Sequence, residues 1–255
     1  MYTEAQFEEL EQEERVITDE AIAVMLLILA NLHSTLEQEL RGFYQKYGKD
    51  GVVTYSEARK WVGENDHRRR LTMLVILLNE NFTELQNNLS PKFKKMLEDV
   101  IGKEVDFFDI DSENISDKPL DERWGVDDKN WSERLENDIA LWAAYIMMEI
   151  KQAFLKRKHI DKVLLQIDKR FKSMEYVLTT LGLSESTAVG STARREIFKE
   201  LGINKYQFFA RADERTCETC GSMHGLIFPI SAYEVGVTAS PLHPRCRCWE
   251  VPVMD

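Results

Sequence analysis

The four cysteines of this chain lie close together in the sequence, within its last 39 residues. Cys217 and Cys220 form a Cys-x-x-Cys pair, and Cys246 and Cys248 form a Cys-x-Cys pair after 25 intervening residues. His243 lies just before the second pair. Thiolates and imidazoles are ligands that zinc prefers, and two pairs from separate turns can complete a tetrahedron around one ion. The sequence therefore predicts a structural zinc site.

Five side chains compete for the four ligand positions. The favoured ligands are Cys217, Cys220, His243 and Cys246. Cys248 is the substitute ligand, because a Cys-x-Cys pair can also bind one ion. His224 is a weaker candidate, since it lies beside Gly225 where a polar turn residue is expected. The alternatives to zinc are two disulfides or ordinary buried thiols; without a signal peptide we expect a reducing compartment, where stable disulfides are uncommon.

A catalytic role for the cluster is less well supported by the sequence. The chain has no Gly-x-Ser-x-Gly elbow, no Gly-rich phosphate loop and no His-Glu-x-x-His helix. Four protein ligands would close the coordination sphere, so the expected role of zinc is to stabilise the fold, and we expect a protein that is not an enzyme. The alternative is a metal-dependent nuclease with His243 as its base, or an effector or toxin with a zinc-supported finger.

The segments that must position this cluster are predominantly helical. With 44% apolar and 30% charged residues, the 255-residue chain is typical of a folded globular protein. The predicted regions are an N-terminal helical region (1–103), an acidic loop (104–130), a helical hairpin (131–187) and a C-terminal module (188–255). The predicted fold class is mainly α: an elongated helical bundle body with a small C-terminal α+β module like a zinc knuckle.

Caps and breakers predict the helix ends. Thr3 and Gln6 suit a capping box, and the first helix is expected to run to Gly48 with a break near Val16. Three further breaks or ends are predicted at Ser90-Pro91, Gly182 and Gly202. Short β-rich runs follow at 206–212, 226–229 and 248–253. A module this small needs a staple, which zinc would supply.

The net charge of −11 is unevenly distributed. Residues 1–20 and 104–138 carry −7 and −9, whereas 151–205 has twelve Lys and Arg against six acids. One interpretation is solvated helix faces; the other is a basic face that contacts an acidic partner or a nucleic acid backbone. The candidate contact residues are Lys156, Arg157, Lys158, Lys169, Arg170, Arg194 and Arg195. The longest apolar run, 21–30, is half of what a membrane span needs, so no membrane insertion is expected.

The C-terminal segment resembles the phage Mu F-like head morphogenesis family, the minor capsid proteins of tailed bacteriophages. The resemblance covers about residues 188–252 and depends on Asp-Glu-Arg-Thr-Cys-x-x-Cys at 213–220 followed by Leu-His-Pro-x-Cys-Arg-Cys at 242–248. The family motif falls on Asp213, Arg215, Cys217, Cys220, Gly225, His243, Cys246 and Arg247. The chain departs from the family at Phe208 and Phe209, where an aromatic residue is often Trp, and at His224, which is more often acidic.

The resemblance implies a virion protein present in few copies inside the head, near the portal. It would be made in the bacterial host cytoplasm and would assist procapsid assembly and the packaging or delivery of DNA. The implied partners are the portal protein, a scaffold or major capsid protein, and packaged double-stranded DNA.

Elementary chemistry gives the supporting motif residues distinct roles. Asp213 is expected to accept backbone amides before the turn, and Gly225 to allow a left-handed or a tightly packed backbone. Pro244 would fix the direction from which His243 and Cys246 approach the ion. Arg247 would neutralise thiolate charge or pair with Asp213.

Overall fold

The computed structural model describes residues 3–63, 66–111, 115 and 118–254, with the side chains of residues 66 and 67 left out. The helices are α1 (Glu4–Tyr47), α2 (Tyr55–Ala58), α3 (Arg70–Phe108), α4 (Lys118–Asp121), α5 (Trp131–Leu155), α6 (Ile160–Glu200) and α7 (Glu218–Met223). The strands are β1 (Trp61–Gly63), β2 (Asp66–Arg69), β3 (Lys205–Phe209), β4 (Ile227–Pro229) and β5 (Trp249–Val253). The predicted fold class, mainly α with a small C-terminal α+β module, is confirmed.

The first helix begins at the predicted capping box. Thr3 N donates to Gln6 Oε1 at 2.9 Å, and Gln6 N donates to Thr3 Oγ1 at 3.3 Å. The helix then continues without interruption to Tyr47, so the break predicted near Val16 is wrong. No Gly or Pro occurs between residues 4 and 41, and nothing in the sequence therefore ends the helix there.

The breaker Ser90-Pro91 does not end a helix either. Pro91 lies inside α3, although proline removes one backbone hydrogen bond from a helix. Fully or almost fully buried apolar residues continue at helical spacing on both sides of it: Leu85, Leu89, Phe93 and Met96. Their burial outweighs the lost hydrogen bond, and the predicted stop at Ser90-Pro91 is wrong.

The glycine at position 182 has a packing role instead of a terminating one. Helix α6 passes through it and ends only at Glu200, so the predicted stop at Gly182 is wrong. A Cβ at this position would lie 2.9 Å from Ile22 Cγ1. Glycine is required at position 182 because the Ile22 side chain packs closely against the helix there. The predicted end at Gly202, whose φ is +68°, is confirmed.

The predicted acidic loop begins later than expected. Helix α3 extends to Phe108 and includes Glu104, whose side chain is fully buried. The short helix α4 lies within the same segment, and residues 112–114, 116 and 117 lie outside the described residues. The helical hairpin of 131–187 corresponds to α5 and α6, but α6 continues beyond residue 187.

The chain forms two compact units that do not follow its linear order. Unit 1 consists of Met1–Ala23, Pro91–Arg134 and Thr179–Asp255, and unit 2 of Val24–Ser90 and Leu135–Leu178. Helix α1 is long and apolar enough to cross a membrane by composition alone, a test that core helices of soluble proteins also pass. The four consecutive regions and the lack of membrane insertion both stay predictions.

A buried ionic network connects the helices of unit 1 with strand β5. Arg194 on α6 is 1% exposed and forms a bidentate ion pair with Glu104 on α3. It also donates to Glu11 on α1 at 2.9 Å and lies 3.7 Å from Glu250 on β5. Glu250 accepts from the hydroxyls of Tyr233 and Ser191 and from Ser240 N. Arg194 is thus an internal structural cation.

Glu11 makes the stability of this network depend on pH. Burial raises its pKa to about 7, and Arg194 opposes that rise. The folded state therefore holds the Glu11 proton more tightly than the unfolded chain, a stabilising contribution that is lost as pH rises through 7. We expect the free energy of unfolding to fall by roughly 1 kcal/mol between pH 6 and pH 8 through this group.

Urea unfolding of Glu11→Gln over that pH range tests the prediction. The variant should lose this part of the pH dependence, whereas Glu13→Gln, which changes an exposed carboxylate paired with Lys103, should retain it. An unchanged slope in Glu11→Gln would contradict the assignment.

Candidate metal centre

The three-stranded sheet of the C-terminal module supports the cysteine cluster. Its strand order is β4-β3-β5 with both pairs antiparallel. Phe208 on β3 is fully buried and packs with the three buried cysteines. Gly225, at φ +81°, donates its N–H to Phe208 O at 2.8 Å, so the left-handed turn predicted at this glycine returns the chain to the sheet.

The first ligand pair belongs to helix α7. Cys217 caps this helix, and its Sγ accepts a hydrogen bond from Cys220 N at 3.4 Å. The capping geometry turns both sulfurs toward the same side of the module. The Cys-x-x-Cys spacing thus gives two converging ligands, as the sequence predicts.

The turn at 243–246 brings the second set of ligands to the same place. His243 Nε2 lies 3.3 Å from Cys217 Sγ and 3.2 Å from Cys220 Sγ, and Cys246 Sγ lies 3.7 Å from Cys220 Sγ. Ligand atoms of two overlapping trios lie within 4.8 Å of one another: Cys217, Cys220 and His243, and Cys220, Cys246 and Cys248. The structure therefore brings all five predicted candidates together, with Cys220 in both trios. All four cysteines are free thiols, without disulfides.

These separations fit a tetrahedral zinc ion. With Zn–S near 2.3 Å and Zn–N near 2.0–2.1 Å, a tetrahedron has S–S edges of roughly 3.8 Å and S–N edges of roughly 3.5 Å. The Cys220–Cys246 separation equals the first value within 0.1 Å, and the two sulfur–His243 separations are about 0.2–0.3 Å shorter than the second. Small outward shifts of the imidazole would complete the geometry.

His243 presents the correct nitrogen to the sulfurs. Its Nδ1 lies 2.9 Å from Pro244 O, and a carbonyl can only accept, so Nδ1 carries the proton. The lone pair of a neutral ring is then on Nε2, which faces Cys217 and Cys220. A backbone carbonyl that fixes the tautomer is typical of zinc-bound histidines.

Mutual hydrogen bonding favours a thiolate at Cys246, although burial opposes it. The exposed fractions of Cys220, Cys246 and Cys248 are 2%, 2% and 3%. Hydrogen bonds from Cys220 and Cys248 lower the pKa of Cys246, and the same pairing raises the pKa of both neighbours. A buried thiolate is costly unless a cation compensates it, so the donor set suits zinc.

Helix α6 holds the second ligand turn in place. Ser184 Oγ accepts from Arg245 N at 3.0 Å, and Thr187 Oγ1 donates to Cys246 O at 3.3 Å. Cys246 N in turn donates to His243 O at 3.1 Å. The roles of Ser184 and Thr187 could not be predicted from the sequence, because helix periodicity does not show which loop packs on a helix.

The supporting motif residues occupy definite positions. Asp213 Oδ1 accepts from Arg215 N at 2.9 Å, and the Asp213 carboxylate forms a two-point ion pair with Arg247 that includes a 2.7 Å contact. The Arg247 hydrogen bond lowers the pKa of Asp213 well below its usual range. This pair joins the segments that carry Cys217 and Cys246. His224 lies apart from the thiols, with its Nδ1 accepting from Ala210 N at 3.2 Å.

The predicted basic contact residues differ in exposure and in pairing. Lys156, Arg157 and Lys169 are exposed, and Lys158 is half-buried. Arg170 pairs with Glu149 at 2.7 Å. The prediction for Arg194 is wrong, because its guanidinium is internal and neutralised by Glu104 and Glu11.

Arg195 differs from its neighbour in being partly exposed. Both of its terminal nitrogens donate to Glu122, at 3.0–3.1 Å, and its Nε donates to Glu196. The carboxylates of Glu122 and Glu196 already neutralise the Arg195 guanidinium, which therefore attracts an anionic partner only weakly. This geometry does not support the predicted contact role of Arg195.

Fold and site together define a helical protein that ends in a small sheet module with a closed Cys/His cluster. Residues 144–251 match the family model described as Phage Mu protein F like protein. This match confirms the family resemblance seen in the sequence and extends it from residue 188 back into α5. Comparisons with curated proteins and with solved structures gave no match.

The choice of fourth ligand leads to a spectroscopic prediction. The Co²⁺-substituted protein should show the intense visible bands of a tetrahedral site, with a sulfur-to-cobalt absorption that scales with the number of thiolates. We expect Cys246→Ser to reduce that absorption by at least about one third, because at most two of the three thiolates would remain bound. Cys248→Ser should leave it unchanged. The reverse pattern would identify Cys248 as the ligand and Cys246 as the neighbour.

Proposed function

We propose that this protein is a minor capsid protein that acts in head morphogenesis of a tailed bacteriophage. The observation that carries the proposal is the Mu protein F-like match over 144–251, a segment that contains all five candidate ligands. The long helices provide extended surfaces for packing against other head components, and the module provides a small rigid domain.

The proposed location is the capsid interior near the portal, with the protein present in few copies. Its proposed partners are the portal protein, a scaffold or major capsid protein, and packaged double-stranded DNA. The exposed Lys156, Arg157 and Lys169 support a contact with an acidic protein surface or with phosphates.

The proposed zinc ion is structural, and the proposed protein is not an enzyme. Four converging protein ligands leave no open coordination position for water or substrate. Incubation with plasmid DNA and divalent metal should therefore give no cleavage. Cleavage that His243→Ala abolishes would instead favour the nuclease alternative.

Quantitative mass spectrometry of purified phage heads tests the main proposal. The protein should be present at a small fraction of the major capsid protein, and it should co-purify with the portal oligomer. Deletion of the gene should give fewer or defective heads. Absence from the particles together with normal heads after deletion would contradict the proposal.

A further inference from the structure

The connections between the helices of unit 2 contain a marked concentration of positive charge. Residues 46–70 and 156–162 contain eleven Lys and Arg against five Asp and Glu, a net charge of +6. The remainder of the chain carries −17. A local excess of this size in an acidic protein creates a positive potential on one part of its surface.

The two segments are joined in the structure. Ile160 N donates to Gly51 O at 2.9 Å, and Val52 forms an antiparallel bridge with His159. The loop after α1 and the loop between α5 and α6 are thus direct neighbours. Lys49 and Arg157 accordingly belong to the same end of the unit, although they are 108 positions apart in the sequence.

The β1–β2 hairpin belongs to the same surface. Arg70, at the end of this hairpin, donates its N–H to Lys60 O at 3.0 Å. The Arg70 guanidinium lies 4.4 Å from the centroid of the Tyr47 ring, at the end of α1. This contact attaches the hairpin to the loop that carries Lys49.

Carboxylates compensate only part of this charge. Among the described side chains of the two segments, the acids are Asp50, Glu57 and Asp161. Glu57 pairs with Lys60 and Arg70, and Asp161 lies 3.6 Å from Arg41, so these two are already engaged. The basic surface consists of Lys46, Lys49, Arg59, Arg69, Lys156, Arg157, Lys158 and Lys162, all exposed or half-buried.

An exposed aromatic side chain lies among these cations. Trp61 on β1 is 54% exposed, and the Arg69 guanidinium lies 5.1 Å from the centroid of its ring. The two residues are directly paired across the hairpin. Arg and Lys side chains donate to phosphate oxygens, and such contacts hold a protein on a duplex without reading its sequence.

We propose that the basic surface binds the phosphate backbone of duplex nucleic acid without reading its sequence. The inference deepens the proposed function by assigning DNA contact to the end of unit 2, and it rests on that function only for the source of the DNA, the packaged genome. The sequence prediction included Lys156–Lys158 but missed the hairpin and the loop after α1, because their proximity exists only in the folded chain.

Binding of a fluorescent duplex of random sequence, followed by anisotropy at several salt concentrations, tests the inference. Lys156→Gln, Arg157→Gln and Lys158→Gln combined should weaken binding at least about tenfold and lower the salt slope by roughly 2–3, since each phosphate contact contributes about 0.9. Lys49→Gln with Arg69→Gln should have a similar effect from the other side of the surface. Both variants should retain wild-type circular dichroism.

The matched control is the triple Gln variant of Lys92, Lys94 and Lys95, which removes equal charge from α3, where Lys94 and Lys95 pair with acids. Equal losses of duplex affinity in the test and control variants would show that only the net charge of the protein matters. That result would contradict a binding site at the basic surface. If the protein binds no duplex but self-associates in a salt-sensitive way, the result would contradict the inference. It would indicate that the basic surface binds an acidic segment of a second copy of the chain. A protein that is present in phage heads but binds no duplex would overturn this inference and the proposed DNA partner, and would leave the proposed minor capsid role standing.

Discussion

Replacement of Cys220 by Ser is expected to abolish zinc binding and to unfold the C-terminal module. Cys220 is the only residue common to both trios of candidate ligands, and it is 2% exposed. Loss of a ligand should weaken zinc affinity by more than the roughly 10–100-fold that loss of a supporting partner causes. Structural zinc contributes about 10–16 kcal/mol to the folding of zinc-finger peptides, so we expect the module to unfold when the ion is lost.

Two readouts distinguish loss of the module from loss of the whole fold. Hydrogen exchange should show lost protection of β3 and β5 amides, while the amides of α5 remain protected. Ser222→Ala changes an exposed residue of the same short helix and should retain zinc and protection. Retention of a full zinc equivalent in Cys220→Ser would contradict the ligand assignment.

Replacement of Arg194 by Met should destabilise unit 1 by about 3–5 kcal/mol, because it leaves buried carboxylates without their cation. Glu104 is fully buried and bonds Arg194 at two points, and Glu250 lies 3.7 Å away. Protonation of these acids can relieve part of the cost, so the destabilisation should increase with pH.

Arg195→Met is the matched control for this prediction. Arg195 is the next residue on the same helix, but its side chain is 16% exposed and its partner Glu122 is 18% exposed. Water can therefore replace the lost partner, and urea unfolding should give a loss of only about 1 kcal/mol. Equal losses in the two variants would show that burial of the Arg194 network does not determine its contribution.

The cysteine cluster was predictable from the sequence because the ligands of each pair are only a few residues apart. The Cys-x-x-Cys and His-Pro-Arg-Cys-Arg-Cys segments each form one turn, and each turn orients its own ligands. Gly225 has the left-handed backbone that a glycine between two short elements indicates. The zinc ligand set itself stays a prediction.

The wrong predictions concern residue types that can have two different structural roles. Gly182 allows close packing of Ile22, and Pro91 is accommodated by an apolar stripe on both sides, so neither ends a helix. Arg194 has the same sequence context as a surface cation, and only the fold reveals that Glu104, 90 positions earlier, faces it. Long-range partners of this kind cannot be inferred from periodicity or local charge.

Metal analysis of the 255-residue chain, purified under reducing conditions without chelator, is the most direct test for a structural zinc ion. We expect about one zinc per chain, and we expect the Cys217, Cys220 and Cys246 thiols to be unreactive toward a thiol reagent until a strong chelator removes the metal. A protein with no bound metal and four freely titratable thiols, or with two disulfides, would contradict it.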